Sequence, residues 1–149
     1  MKLFQIEEPD GSPADPDMPG AAIGIDLSGG RAKVAVAVGG NAALLADREG
    51  FERDLAVPAP AAGAEAWQAL FEGTRLRAER ALARPVTHAV VAMARMPESE
   101  TAARLHQAAE AAGLAVLRLV AVAGLAAGEA PAFAAAVLAE DLAPRPRIE

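Results

Sequence analysis

The chain has 149 residues, no Cys, 3% aromatic and 23% charged residues, and a formal net charge of −6. That is the size of one domain, able to bury roughly 68–70% of the surface its unfolded chain exposes. These values exclude a disulfide framework and a Cys-based zinc site. No apolar run reaches the ~20 residues that span a bilayer, and no basic-then-apolar start marks a secretory signal. The acidic balance, with 12 Arg and two Lys scattered along the chain, argues against duplex nucleic acid as a partner. The expectation is a cytoplasmic protein that meets neither nucleic acid nor membrane.

Residues 1–20 differ from everything after them. Glu7, Glu8, Asp10, Asp15 and Asp17 stand against Lys2 alone, a local charge of −4, among Pro9, Pro13, Pro16 and Pro19. Such a segment cannot bury enough apolar surface to offset ordering, so it reads as an acidic disordered arm. Within it, Leu3-Phe4-Gln5-Ile6 is short and apolar, either an untethered terminus or a peptide that docks. At the far end, Pro144-Arg145-Pro146-Arg147 opens a short tail over 144–149.

Residues 21–143 carry the domain. Ala21 to Leu27 and Ala32 to Val38 are compact apolar runs that read as strands. Ser28-Gly29-Gly30 between them reads as a hairpin turn, with Gly supplying positive φ. Gly39-Gly40-Asn41 turns the chain into a third strand, Ala42 to Asp47. Trp67, Leu70, Phe71, Thr74 and Ala78 recur at helical spacing within a helix over 65–83. Thr87 to Ala94 is a buried strand. Pro97 and Gly113 then bracket a helix whose apolar face holds Ala102, Leu105, Ala109 and Ala112. Leu114 to Val122 is a fifth strand. Ala132 to Leu142 forms a last helix, beginning near Gly124 or restarting at Pro131. The order β-β-β-α-β-α-β-α predicts an α/β domain: a mixed five-stranded sheet with helices on both faces. This arrangement resembles the ribonuclease-H-like fold, which also builds each lobe of the actin-like ATPases.

Ile23-Gly24-Ile25-Asp26-Leu27-Ser28-Gly29-Gly30, followed by Val34-Ala35-Val36, resembles the opening phosphate loop of the Hsp70 (DnaK-like) chaperone ATPases. Pro85 to Val91 resembles that family's PVxxAVITVPA. Ala111 to Val120 resembles AGLEVLRIINEPTAAAL, and Glu49-Gly50-Phe51 falls where the family has a further strand. The resemblance implies a first nucleotide-binding lobe in which Ser28, Gly29 and Gly30 cradle phosphate through backbone N–H groups. It also implies that Asp26 organises a hydrated Mg²⁺, and that Mg-ATP or Mg-ADP is the ligand. Lys33 is either a further phosphate contact or a solubilising residue on a strand edge.

The departures from the family bear on activity. Gly29 and Gly30 stand where it has paired threonines, and Ala121-Val122-Ala123-Gly124 stands where it has NEPT. The sequence stops where a second lobe is expected. The resemblance therefore implies a truncated, non-catalytic pseudo-ATPase lobe, not an enzyme, acting as a protein-interaction or chaperone-accessory module. Its partner would be another protein or a second copy of itself. Weak Mg-ATP or Mg-ADP binding is the alternative.

Two further readings concern single residues. Asp26 is either the metal-organising acid or a capping residue that stabilises its own hairpin. A junction-resolvase-like nuclease would need several acids around two metal ions. Asp26 supplies one, the end of the fifth strand supplies none, and Glu140 and Asp141 lie near the end of the last helix. His88 and His106 read as separate surface imidazoles, and Trp67, Phe71 and the methionines as core.

Overall fold

The computed structural model describes residues 20–45, 55–59, 61–125 and 130–144. The acidic arm (but for Gly20), Glu49-Gly50-Phe51 and the tail (but for Pro144) lie outside the described residues. The elements run β1 (Ala21–Asp26), β2 (Lys33–Val38), β3 (Asn41–Leu45), α1 (Ala64–Leu82), β4 (Val86–Met93), α2 (Ser99–Ala111), β5 (Ala115–Ala121) and α3 (Pro131–Leu142). A single 3₁₀ turn, Val122–Gly124, follows β5, and the last helix starts at Pro131 rather than near Gly124. Proline there fits because the first helical residue has no intrahelical use for an N–H.

The five strands form one mixed sheet in the order β3-β2-β1-β4-β5. β1 runs antiparallel to β2, with Asp26 opposite Lys33, and parallel to β4, with Asp26 opposite Ala92. β5 continues the parallel half, and β3 pairs antiparallel with β2. Helices cover both faces, as the element order predicts, because parallel strands need crossovers that shield each side.

Side chains alternate along each strand, so β1 sends Ile23, Ile25 and Leu27 to one face and Ala22, Gly24 and Asp26 to the other. On the first face α1 and α2 bring Trp67, Phe71 and Leu105 onto the isoleucines, joined by Leu114 from the turn after α2, all four buried. Each such side chain contributes on the order of 1.5–3 kcal/mol by leaving water. Thr74 is also buried there, its hydroxyl donating 2.8 Å to the Phe71 carbonyl. The Trp67 indole is buried as well, but its Nε1–H has no hydrogen-bond partner. Met96, expected in the core, is 55% exposed.

The opposite face is built differently. α3 lays Ala132, Ala135, Ala136 and Ala139, all buried, against Ala35, Ala37, Val90 and Ala92. Helix and sheet approach so closely that a Cβ on Gly24 would meet the Ala136 nitrogen at 2.3 Å and the Ala132 carbonyl oxygen at 2.8 Å. Gly24 is therefore explained by helix packing, whatever role its motif suggests.

Candidate functional site

The two turns that the glycines mark are not alike. Gly39 and Gly40, at φ 61° and 86°, form the tight left-handed turn between β2 and β3. Gly29 and Gly30 have no positive φ, so the expected basis for the first hairpin is corrected. The connection between Asp26 and Lys33 is six residues long, and local side-chain bonding and a neighbouring segment shape it.

The side-chain bonding comes from Asp26. Its Oδ1 accepts from the Ser28 backbone N–H at 2.9 Å and from the Ser28 hydroxyl at 2.6 Å. This is an Asx-type turn, in which a short acid folds the backbone over its own carboxylate. The neighbouring segment holds the loop from the other side. Ala32 N–H donates 2.8 Å to the Leu55 carbonyl, and Val57 N–H donates 3.0 Å to the Gly30 carbonyl. Between these ties Gly29 and Gly30 are exposed, with open space where their side chains would be.

The candidate site residues thus share one end of the sheet. Asp26 is 5% exposed. Lys33 is exposed opposite it and shares its face of the sheet. α3 runs antiparallel to β1: Ala132 and Ala136 sit at Gly24, whereas Glu140 lies at the far turn. Its N-terminus therefore points toward the Asp26 end of the sheet, adding the positive end of a helix dipole to that edge. A Mg²⁺ ion would find here one carboxylate with Oδ1 already accepting two hydrogen bonds. No group of three His, Cys, Asp or Glu able to hold a metal occurs among the described residues.

Glu140 lies near the end of α3, as the sequence predicts, but its partners were not foreseen. Its carboxylate accepts from Gly39 N–H at 2.6 Å and from Gly40 N–H at 2.9 Å. The two successive amides of the left-handed turn form a small anion nest, and α3 fills it with its own acid. This contact lies at the opposite end of the sheet from Asp26, so Glu140 cannot join it in a two-metal site as the nuclease reading required.

A second fixed acid ties the other helix layer. Glu79 pairs with Arg75 at 3.0 Å and accepts from Val86 N–H at 3.0 Å. Arg75 Nε donates 2.7 Å to the Ala112 carbonyl, closing the end of α2 against α1. Among the histidines, His88 is half-buried rather than a free surface imidazole, and burial holds its pKa below the ordinary 6.5. Thr87 Oγ1 accepts from Gly20 N–H at 2.9 Å and lies 2.7 Å from His88 Nδ1. Its hydroxyl proton can then go to a neutral Nδ1, an arrangement that protonation of the ring would break.

The fold is an α/β domain on a mixed five-stranded sheet, as the element order predicts, and the candidate phosphate loop occupies one end of that sheet. No protein-family model matches the sequence, and no curated protein matches it. Among solved structures it is similar to ethanolamine utilization protein EutJ from Carboxydothermus hydrogenoformans, with a TM-score of 0.49 and 19% identity. That match covers 74% of this chain and 39% of the other. The likeness to Hsp70-type ATPases rests on the motifs quoted above. No helix among the described residues is long and apolar enough to cross a membrane.

Proposed function

We propose that this chain is a non-catalytic, Hsp70-like lobe that works by binding another protein, either a distinct partner or a second copy. The observation that carries this reading is that Asp26 and Glu140, two of the acids the sequence offered for metal chemistry, both bond the backbone. Asp26 holds its own loop and Glu140 holds the β2–β3 turn, whereas phosphoryl chemistry would require carboxylates free to face a metal and a phosphate. A protein contact is favoured by the belt of half-buried apolar side chains along β5 and the neighbouring edge of α3, among them Leu117, Val120, Leu138 and Leu142. Apolar surface gathered in one place on a protein marks an interface.

Light scattering of the full chain over a concentration series, beside Leu138→Glu, tests this. Concentration-dependent association that the charge abolishes supports a second copy. A monomer at every concentration that also retains no protein partner would contradict the reading.

One observation favours a second reading. Gly29 and Gly30 present exposed backbone on the edge that Lys33 and the α3 N-terminus share, which suits a weak Mg-ATP or Mg-ADP phosphate contact. Thermal stabilisation by Mg-ATP, lost on Asp26→Ala, would establish it.

A further inference from the structure

Residues 73–88 hold four arginines, Arg75, Arg77, Arg80 and Arg84, against one acid, Glu79, a net +3 in a chain of net −6. They run from the middle of α1 through its end into β4. Arg75 and Glu79 are engaged with each other, with the Ala112 carbonyl and with the Val86 N–H. Arg80 and Arg84 are exposed, and Arg77 is half-buried. Arg80 lies in the last turn of α1, where a cation also suits the negative end of the helix dipole. Arg84 lies outside the helix, after the left-handed cap Ala83 at φ 56°.

The acidic arm joins the fold at this place. Gly20 N–H donates 2.9 Å to Thr87 Oγ1, and Ala21 N–H donates 2.9 Å to the Pro85 carbonyl. A Cβ on Gly20 would stand 2.4 Å from that same carbonyl oxygen. The chain before Gly20 therefore starts beside Pro85, the neighbour of Arg84. Residues 1–19, outside the described residues, carry Glu7, Glu8, Asp10, Asp15 and Asp17 against Lys2. At about 3.3–3.6 Å per extended residue, Asp17 and Asp15 reach up to roughly 10 and 17 Å from Gly20. That range covers Arg84 and, about one helical turn before it, Arg80. One exposed ion pair contributes little, but so short a tether holds the two charge clusters at a millimolar effective concentration. We propose that the acidic arm docks in cis on the arginine-bearing end of α1, with Asp15 and Asp17 against Arg84 and Arg80, and so covers that surface against other acidic ligands. The contact lies at the opposite end of the sheet from Asp26 and does not depend on nucleotide.

The ¹⁵N-labelled full chain tests this through the backbone order parameters of Ser12, Ala14 and Asp15. They are read at about 0.01 M salt, where the Debye length is about 30 Å, and at about 1 M, where it is about 3 Å. They should exceed about 0.6, the upper bound of flexible backbone, at low salt and fall below it at high salt. Arg80→Glu with Arg84→Glu should lower them at low salt as well. Adding Asp15→Lys and Asp17→Lys to that variant should restore them, which separates a lost contact from a damaged fold, as do unchanged amide shifts in β1 and β4. Order parameters below about 0.6 in the wild type at low salt overturn the proposal. So does order that the charge reversal leaves in place. Order that is lost on dilution would put the arm on a second copy and overturn the contact in cis.

Discussion

The two faces of the sheet close by opposite means. Under α1 and α2 the core is made of volume: Trp67, Phe71, Ile23, Ile25 and Leu105. Under α3 it is made of proximity: alanines on the helix, alanines on the strands, and a bare Gly24 where backbone meets backbone. Large side chains leave gaps when their shapes do not mesh, and a cavity of about 540 Å³ lies on their side. Alanines on a close-packed helix bring backbone to backbone, so an added atom at Gly24 has no room. A chain with 40 alanines and 3% aromatic residues can thus build one face from few bulky residues and the other from many small ones.

Substitutions in the two layers should fail in opposite directions. Phe71→Ala, on the bulky face, should give the largest loss, about 3–5 kcal/mol by chemical denaturation, because it opens a cavity. Gly24→Ala, on the close face, should cost about 1–3 kcal/mol for the opposite reason, since the new methyl has no room. Were Gly24→Ala to be neutral, the close approach of α3 would be wrong. Glu140→Ala should cost about 1 kcal/mol, less than buried charged bonds because its contacts are exposed. The amides of Gly39 and Gly40 should lose hydrogen-exchange protection in that variant.

The smallest effect is on pH. The folded pKa of His88 lies below its unfolded value, so the folded state prefers the neutral ring. That contribution is present above pH 6.5 and is lost as the pH falls below it, because the unfolded chain takes up the proton first. The melting temperature should therefore fall less between about pH 7 and pH 5 in His88→Asn than in the wild type. Equal slopes would show that His88 does not contribute.

Most of the fold was legible in the sequence, since strand and helix periodicities need only neighbours in the chain. Ile23, Ile25, Trp67 and Phe71 announce their faces in this way. The site was legible only as a set of positions. Asp26 and Ser28 are two residues apart, so a hairpin-stabilising role could be weighed from sequence. Glu140 bonds Gly39 and Gly40 across about a hundred residues, and nothing local signals it. Only the positive φ expected of a Gly-Gly turn hinted that two amides there would want an anion. The same logic misled at Gly29-Gly30, where glycine is free rather than left-handed. Gly24 could be read as part of a phosphate motif because its real neighbour, Ala136, is more than a hundred residues away. The cavity bounded by Leu27, Val57, Trp67 and Met93 needed four separate segments to be brought together.

The central claim is that Asp26 is part of the framework and not part of a catalytic or metal centre. Thermal denaturation of wild type and Asp26→Ala, with and without millimolar Mg-ATP, tests it most directly. Loss of the two hydrogen bonds to Ser28 should lower stability by about 1–3 kcal/mol, or several degrees at roughly 2–4 °C per kcal/mol. Neither protein should respond to nucleotide. A wild type raised several degrees by Mg-ATP, beside a variant that melts at the unliganded wild-type temperature and does not respond, would contradict the account.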